Sequence, residues 1–194
     1  MDAKERTYSV LLVSASTNFN NKLLDFFPAP KYDPVIVTGS IRAAKCAVDE
    51  QPFDFIIVNS PLPDNDGLRF SIDAAKKGTT IVLLMLPSDQ YATQFERFTS
   101  SGVFLVEKPL TRSTITMALN WLAGAREQLR INEEKVLSAE RKISEIRVIN
   151  RAKWLLISEM NMSEADAHRY IEKQAMDRCV SKREIAEEII DLYG

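Results

Sequence analysis

FDFIIVNSPLPDNDG, residues 53–67, carries the pattern from which the fold follows. Phe55 to Val58 is apolar at every position rather than at every second one, the mark of a strand covered on both faces, as in a parallel sheet. Asn59-Ser60-Pro61 ends it. Pro63 to Gly67 is a run of turn formers, and a helix is predicted from Gly67 to Lys77, stopped by Gly78. The same unit recurs on both sides. Upstream, Val10 to Val13 and Val35 to Thr38 read as strands. Between them lies an amphipathic stretch from Asn18 to Phe27, with Phe19, Leu23, Leu24 and Phe27 at helical spacing. Ile41 to Asp49 is a helix with Ala44, Ala47 and Val48 on one face. Downstream, Thr80 to Leu86 is a strand closed by Pro87, Tyr91 to Thr99 a helix closed by Gly102, and Val103 to Val106 a strand followed by Lys108-Pro109. Strands and helices in alternation predict an α/β doubly wound, parallel, five-stranded sheet. Its functional crevice belongs beyond the carboxyl ends of the strands, which places Ser14 to Ser16, Asn59, Met85 to Ser88 and Lys108 there.

The character changes after Pro109. From Ser113 the chain is helix-compatible for more than 30 residues without a proline. Leu122, Ala125, Leu129, Asn132, Val136, Ala139, Ile143 and Ile146 recur at steps of three and four, with charged and amide residues between them. That is a heptad seam, which predicts pairing with a second copy, with Asn132 fixing the register. Beyond it, Ile149 to Met160, Ser163 to Cys179 and Ser181 to Tyr193 are three helical pieces. Ser163 with Asp166 and Ser181 with Glu184 are N-cap patterns. The expected domains are 1–112 for the sheet, 113–146 for the coiled-coil helix and 147–194 for a small three-helix domain.

Composition narrows the functional classes. The 194 residues are 45% hydrophobic and 27% charged, ordinary for a globular chain. The net charge of −2 excludes a polycation, so any nucleic-acid surface is local. Cys46 and Cys179 have no paired spacing and His168 is the sole histidine, which argues against a disulfide framework, a metal site or a cofactor held by such ligands. Ile81 to Leu86 and the other apolar runs are far shorter than a membrane span. The expectation is a soluble cytoplasmic protein with no metal, no cofactor and no membrane partner.

Residues 8–123 resemble the receiver domains of two-component response regulators, a flavodoxin-like fold. FDFIIVNSPLPDNDG is similar to the stretch around the family's phosphorylated aspartate, and FLVEKPLT, residues 104–111, to its Lys-Pro segment. The resemblance implies an acidic pair for Mg²⁺ after the first strand, a nucleophilic aspartate after the third and a Thr or Ser after the fourth. Here those positions read Ser14 and Ala15, Asn59, and Met85; Lys108 alone is retained. An amide is a poor nucleophile, and these residues supply none of the hard anionic oxygens that Mg²⁺ prefers. No phosphorylation by this route is expected. Asp64 and Asp66 belong to the turn and are not expected to substitute. Lys108 reads either as an exposed loop lysine or as a side chain bonded to Asn59 or nearby carbonyls; with no phosphoryl group to hold, a structural role is expected of it.

Residues 147–190 resemble the ANTAR domain, an RNA-binding module of bacterial transcription antiterminators. The resemblance rests on Ile149, Ala152-Lys153, Leu155, Ser163-Glu164, Ala167, Ala175-Met176 and Ile185-Ala186. The chain departs from the family at Trp154, usually Gly; at Glu172, often Arg; at Lys182, usually apolar; and at Arg147, one place off the common arginine. Trp154 is expected to pack in the core, the alternative being a base-stacking platform. Arg147, Arg151, Lys153, Arg169, Lys173, Arg178, Lys182 and Arg183 face five acids between Arg147 and Arg183, a net of +3, and are the candidate RNA contacts, with Tyr170 and His168 as further stacking groups. The resemblance implies a non-enzymatic antitermination regulator that binds leader hairpins as a homodimer, controlled by a partner protein or a ligand. The rival reading is a signalling adaptor that has lost RNA binding.

Overall fold

β1 (Tyr8–Val13), β2 (Tyr32–Thr38), β3 (Phe55–Asn59), β4 (Ile81–Pro87) and β5 (Val103–Lys108) pair in parallel in the order β2-β1-β3-β4-β5. The computed structural model describes residues 7–194. That order is the flavodoxin-like one, and its switch point lies between β1 and β3. α1 (Thr17–Leu24), α2 (Ile41–Glu50), α3 (Leu68–Ala75) and α4 (Ser88–Thr99) connect the strands. Two cores follow from the two-sided burial. Leu11, Val13, Ile56, Val58 and Leu84 pack with Phe70 and Phe98 on one face. Val10, Leu12, Ile57 and Met85 pack with Leu23, Phe27, Ala118 and Leu122 on the other.

Local chemistry fixes the helix starts. Ser16 and Ser40 cap α1 and α2 by accepting from Phe19 N and Ala43 N. The Asp64 carboxylate accepts from Ile41 N and Arg42 N at 3.0 Å each, adding a second, non-local cap to α2. Those bonds hold its carboxyl below the usual range. Gly67 opens α3 with φ at 75°, and a Cβ there would come within 2.9 Å of Val58 Cγ1.

α5 runs from Arg112 to Met160, 49 residues, so the helical piece from Ile149 to Met160 is not separate. Nothing between the coiled-coil stretch and that piece breaks a helix, and the chain continues. Thr111 caps α5 by accepting from Thr114 N at 3.1 Å.

The chain divides into two compact units, one ending at Arg130 and one running from Ile131 to Gly194. The first extends well past residue 112 because the opening turns of α5 complete its core. Leu122 is 1% exposed there, so it is not a seam residue: its periodicity reports packing on the sheet. Arg126 reinforces this stretch, with Nε 2.7 Å from Asp54 Oδ1, while Asp54 Oδ2 accepts from Ser9 N and Oγ. Leu129 is half-buried. From Asn132 onward the seam positions face outward: Val136, Ile143 and Ile146 are 58%, 51% and 57% exposed, and Asn132 and Ala139 are exposed as well.

In the second unit, α6 (Glu164–Arg178) and α7 (Lys182–Tyr193) pack on the end of α5. Ala152 and Leu156 meet Ala167, Ile171, Ala175, Ile185, Ala186 and Ile189. Ser163 caps α6, and Ser181 with Glu184 forms a reciprocal capping box on α7.

Candidate functional site

The carboxyl edge of the sheet gathers the positions expected there. Ser14 is buried at the end of β1, and Asn59 lies at the end of β3, in register with Met85. Asn59 Nδ2 donates to Ser14 Oγ at 3.0 Å, while Asn59 Oδ1 and Ser60 Oγ are buried without a partner. Ser14 O accepts from Asn20 Nδ2 at 3.2 Å. Met85 and the following Leu86 are buried and apolar, so β4 ends without the hydroxyl of a phosphoryl switch. Ser88, placed at this edge by the sequence but without a role, donates from Oγ to Lys108 O at 2.7 Å.

Lys108 is not an exposed loop lysine. It is half-buried, its Nζ donates to Ser60 O, and burial lowers its pKa. Its carbonyl partner carries no charge to offset this. Ser14, exposed Ala15 and Asn59 offer hydroxyl, methyl and amide where a divalent cation needs carboxylates, so these residues do not fit a Mg²⁺ site. Among the described residues no group of three His, Cys, Asp or Glu side chains is arranged to hold a metal. Beside this edge lies a cleft of about 540 Å³ whose lining includes Lys22, Lys108, Asn59, Phe19, Leu110 and Ile115.

The second candidate surface lies on the C-terminal unit, where ion pairs divide the eight basic residues. Lys153 pairs with Glu164 at 3.1 Å, Arg169 with Asp166 at 3.8 Å, Arg178 with Glu188, Lys182 with Glu172, and Arg183 with Glu187 at 2.7 Å. Arg147, Arg151 and Lys173 are exposed and have no ion-pair partner among the described residues. Two departures from the family pattern answer each other, for Glu172 and Lys182 bond directly. The lysine, with His168 Nε2 at 3.3 Å, holds the Glu172 carboxyl below its usual range. Trp154 is not a core residue: it is 72% exposed, because Ala152 and Leu156 take the inward positions of α5 on either side of it.

Residues 138–190 match the model of the ANTAR domain. The C-terminal unit is an ANTAR domain. The match begins on α5 and covers the three-helix core just described. The chain is also similar to the transcriptional regulatory protein PdtaR of Mycobacterium tuberculosis, 26% identical over 142 residues, which cover 73% of this chain and 69% of that protein. Among solved structures, the signal receiver domain of an HD domain-containing protein from Pseudomonas fluorescens Pf-5 matches with a TM-score of 0.56 at 17% identity, covering 69% of this chain and 96% of that one. The chemotaxis response regulator CheY4 of Vibrio cholerae matches with a TM-score of 0.51 at 18% identity, covering 60% and 98%. These structures establish the receiver fold of the first unit. The architecture is a receiver-like domain with a C-terminal ANTAR domain, that of a regulator rather than an enzyme. Among the described residues no helix is long and apolar enough to cross a membrane.

Proposed function

We propose that this chain is a cytoplasmic RNA-binding regulator of transcription antitermination, which engages hairpins in nascent mRNA leaders as a dimer and is controlled without phosphorylation. The observation that carries the reading is the ANTAR match over residues 138–190. Two features support the finer parts. The seam from Asn132 to Ile146 leaves Val136, Ile143 and Ile146 exposed on a helix that a second copy would cover. The receiver edge supplies neither nucleophile nor Mg²⁺ ligands, so control falls to a partner protein or a bound ligand. A partner is the preferred form, since exposed Met117 and Trp121 line one groove with Tyr91 and Leu105. The cleft lined by Lys22 and Lys108 suits the alternative, a small anion.

The test is filter retention of a panel of two-hairpin leader RNAs at increasing salt. Binding whose logarithm falls linearly with the logarithm of salt concentration is expected. The second reading, an adaptor without RNA binding, draws on the five basic residues tied up in ion pairs. Absence of any salt-sensitive retention would leave that reading standing alone.

A further inference from the structure

Trp154 needs an explanation that packing does not give. An indole 72% exposed forgoes most of the burial that normally justifies a tryptophan, and it sits on the side of α5 turned away from Ala152 and Leu156. At about 100° per residue, Arg147 lies about 20° round the helix from it, Asn150 and Ser158 about 40°, and Arg151 about 60°. All four are exposed. Neither arginine has an ion-pair partner among the described residues, unlike most of the other cations of this unit. The nearest acids on α5, Glu145 and Glu159, fall about 180° and 140° away, while Glu164 is already paired to Lys153. The result is an indole face framed by two guanidiniums without an ion-pair partner among the described residues and two short polar side chains, with no carboxylate of α5 on the same side.

We propose that this face is where RNA is gripped, with Trp154 stacking on an unpaired base and Arg147 and Arg151 holding the flanking phosphates. The inference rests on the RNA-binding reading above and adds to it the element that selects unpaired over paired RNA. Stacking needs a base that has left its helix, and an exposed indole offers it a flat, sequence-tolerant partner. The geometry also bears on the competing occupant, a second copy of the chain. Trp154 lies eleven residues beyond Ile143 along the same side of α5, but self-association here would bring the Arg147 and Arg151 charges of both copies together. A polyanion removes that repulsion and a second copy creates it.

The experiment uses the full chain as Trp121→Phe, which leaves Trp154 as its one tryptophan. The probes are RNAs recovered by filter retention from a pool of two-hairpin molecules with randomised loops, and duplex RNA of equal length. Loop RNA is expected to quench Trp154 emission in step with retention, and duplex RNA to leave it unchanged. Trp154→Ala is expected to weaken retention about 5- to 150-fold, with Trp154→Tyr restoring most of it. Arg151→Gln is expected to lower the salt slope by about one. Retention with unquenched Trp154 and an unaffected Trp154→Ala variant overturns this inference while leaving RNA binding intact. Emission that follows protein dilution and ignores RNA assigns the face to a second copy and likewise overturns it. No retention of any pool member removes the underlying reading. Because the side chain is exposed, Trp154→Ala should melt within about 2–4 °C of the parent, which separates lost contact from lost fold.

Discussion

Asn59 ends β3 with its amide nitrogen on the Ser14 hydroxyl, in register with buried Met85. An aspartate there would restore a nucleophile but not the metal, because Ser14 and Ala15 still lack carboxylates. Acetyl phosphate with Mg²⁺ should therefore leave the intact mass of both the natural chain and Asn59→Asp unchanged. A single phosphoryl adduct on Asn59→Asp would show that the acidic pair is dispensable. Gly67 poses a different constraint. Its φ of 75° and the 2.9 Å approach of Val58 Cγ1 leave no room for a methyl group, so Gly67→Ala should lose about 1–3 kcal/mol in urea denaturation. Glu172 and Lys182 form the third case. Glu172→Arg alone places two cations together and should lower the melting temperature, while Glu172→Arg with Lys182→Leu should recover it. If the double variant melts no higher than the single one, the two departures are independent.

At the scale of elements, α5 changes environment along its length, and substitutions should report where. Leu122→Ala removes a side chain 1% exposed in the sheet core and should destabilise the first unit by about 2–5 kcal/mol; Ile143→Ala, on an exposed position, should leave its thermal unfolding unchanged. The α6–α7 pair adds a pH dependence. Both Glu172 and Glu188 are held below their ordinary range, chiefly by hydrogen bonds from Lys182 and Arg178. The unfolded chain therefore binds more protons, so the stabilisation is complete above the unfolded glutamate pKa and is lost as pH falls through the lowered folded value. Melts of the C-terminal unit should drop across that acid window, and Glu188→Gln should flatten the drop. The strands were legible in sequence because two-sided burial writes continuous apolar runs, and the caps because Ser163 and Ser181 act locally. The long helix was misjudged where one periodicity serves two purposes: Leu122 and Val136 share a spacing, yet one faces a sheet and the other does not. Trp154 was misread because residue type favours burial while its neighbours Ala152 and Leu156 already fill the inward positions. Lys108 on Ser60 O and Arg126 on Asp54 join residues 48 and 72 apart, a separation that no local pattern encodes.

For the whole molecule, the proposed control without phosphorylation requires another physical route from the receiver fold to the ANTAR domain, and the proposed dimer supplies one. Each copy would contribute the proposed RNA-binding face, so tying two copies together through α5 would turn the second hairpin contact into an intramolecular event. Anything that docks on the first unit and blocks pairing would then lower RNA affinity without touching the RNA-binding residues. The variant Ile143→Asp with Ile146→Asp puts carboxylates on two exposed positions of the proposed seam, leaving the two sheet cores and the core of the C-terminal unit untouched. Sedimentation should show a monomer, since the two charges would have to be buried against their own copies. Affinity for a two-hairpin RNA should then fall by about 10²- to 10⁴-fold, towards that for one hairpin, while single-hairpin affinity stays where it was. Equal losses on one and two hairpins would mean that the seam shapes the RNA-binding face itself. A dimeric variant with undiminished affinity would mean that the copies pair elsewhere, and the exposed stripe from Val136 to Ile146 would need another occupant.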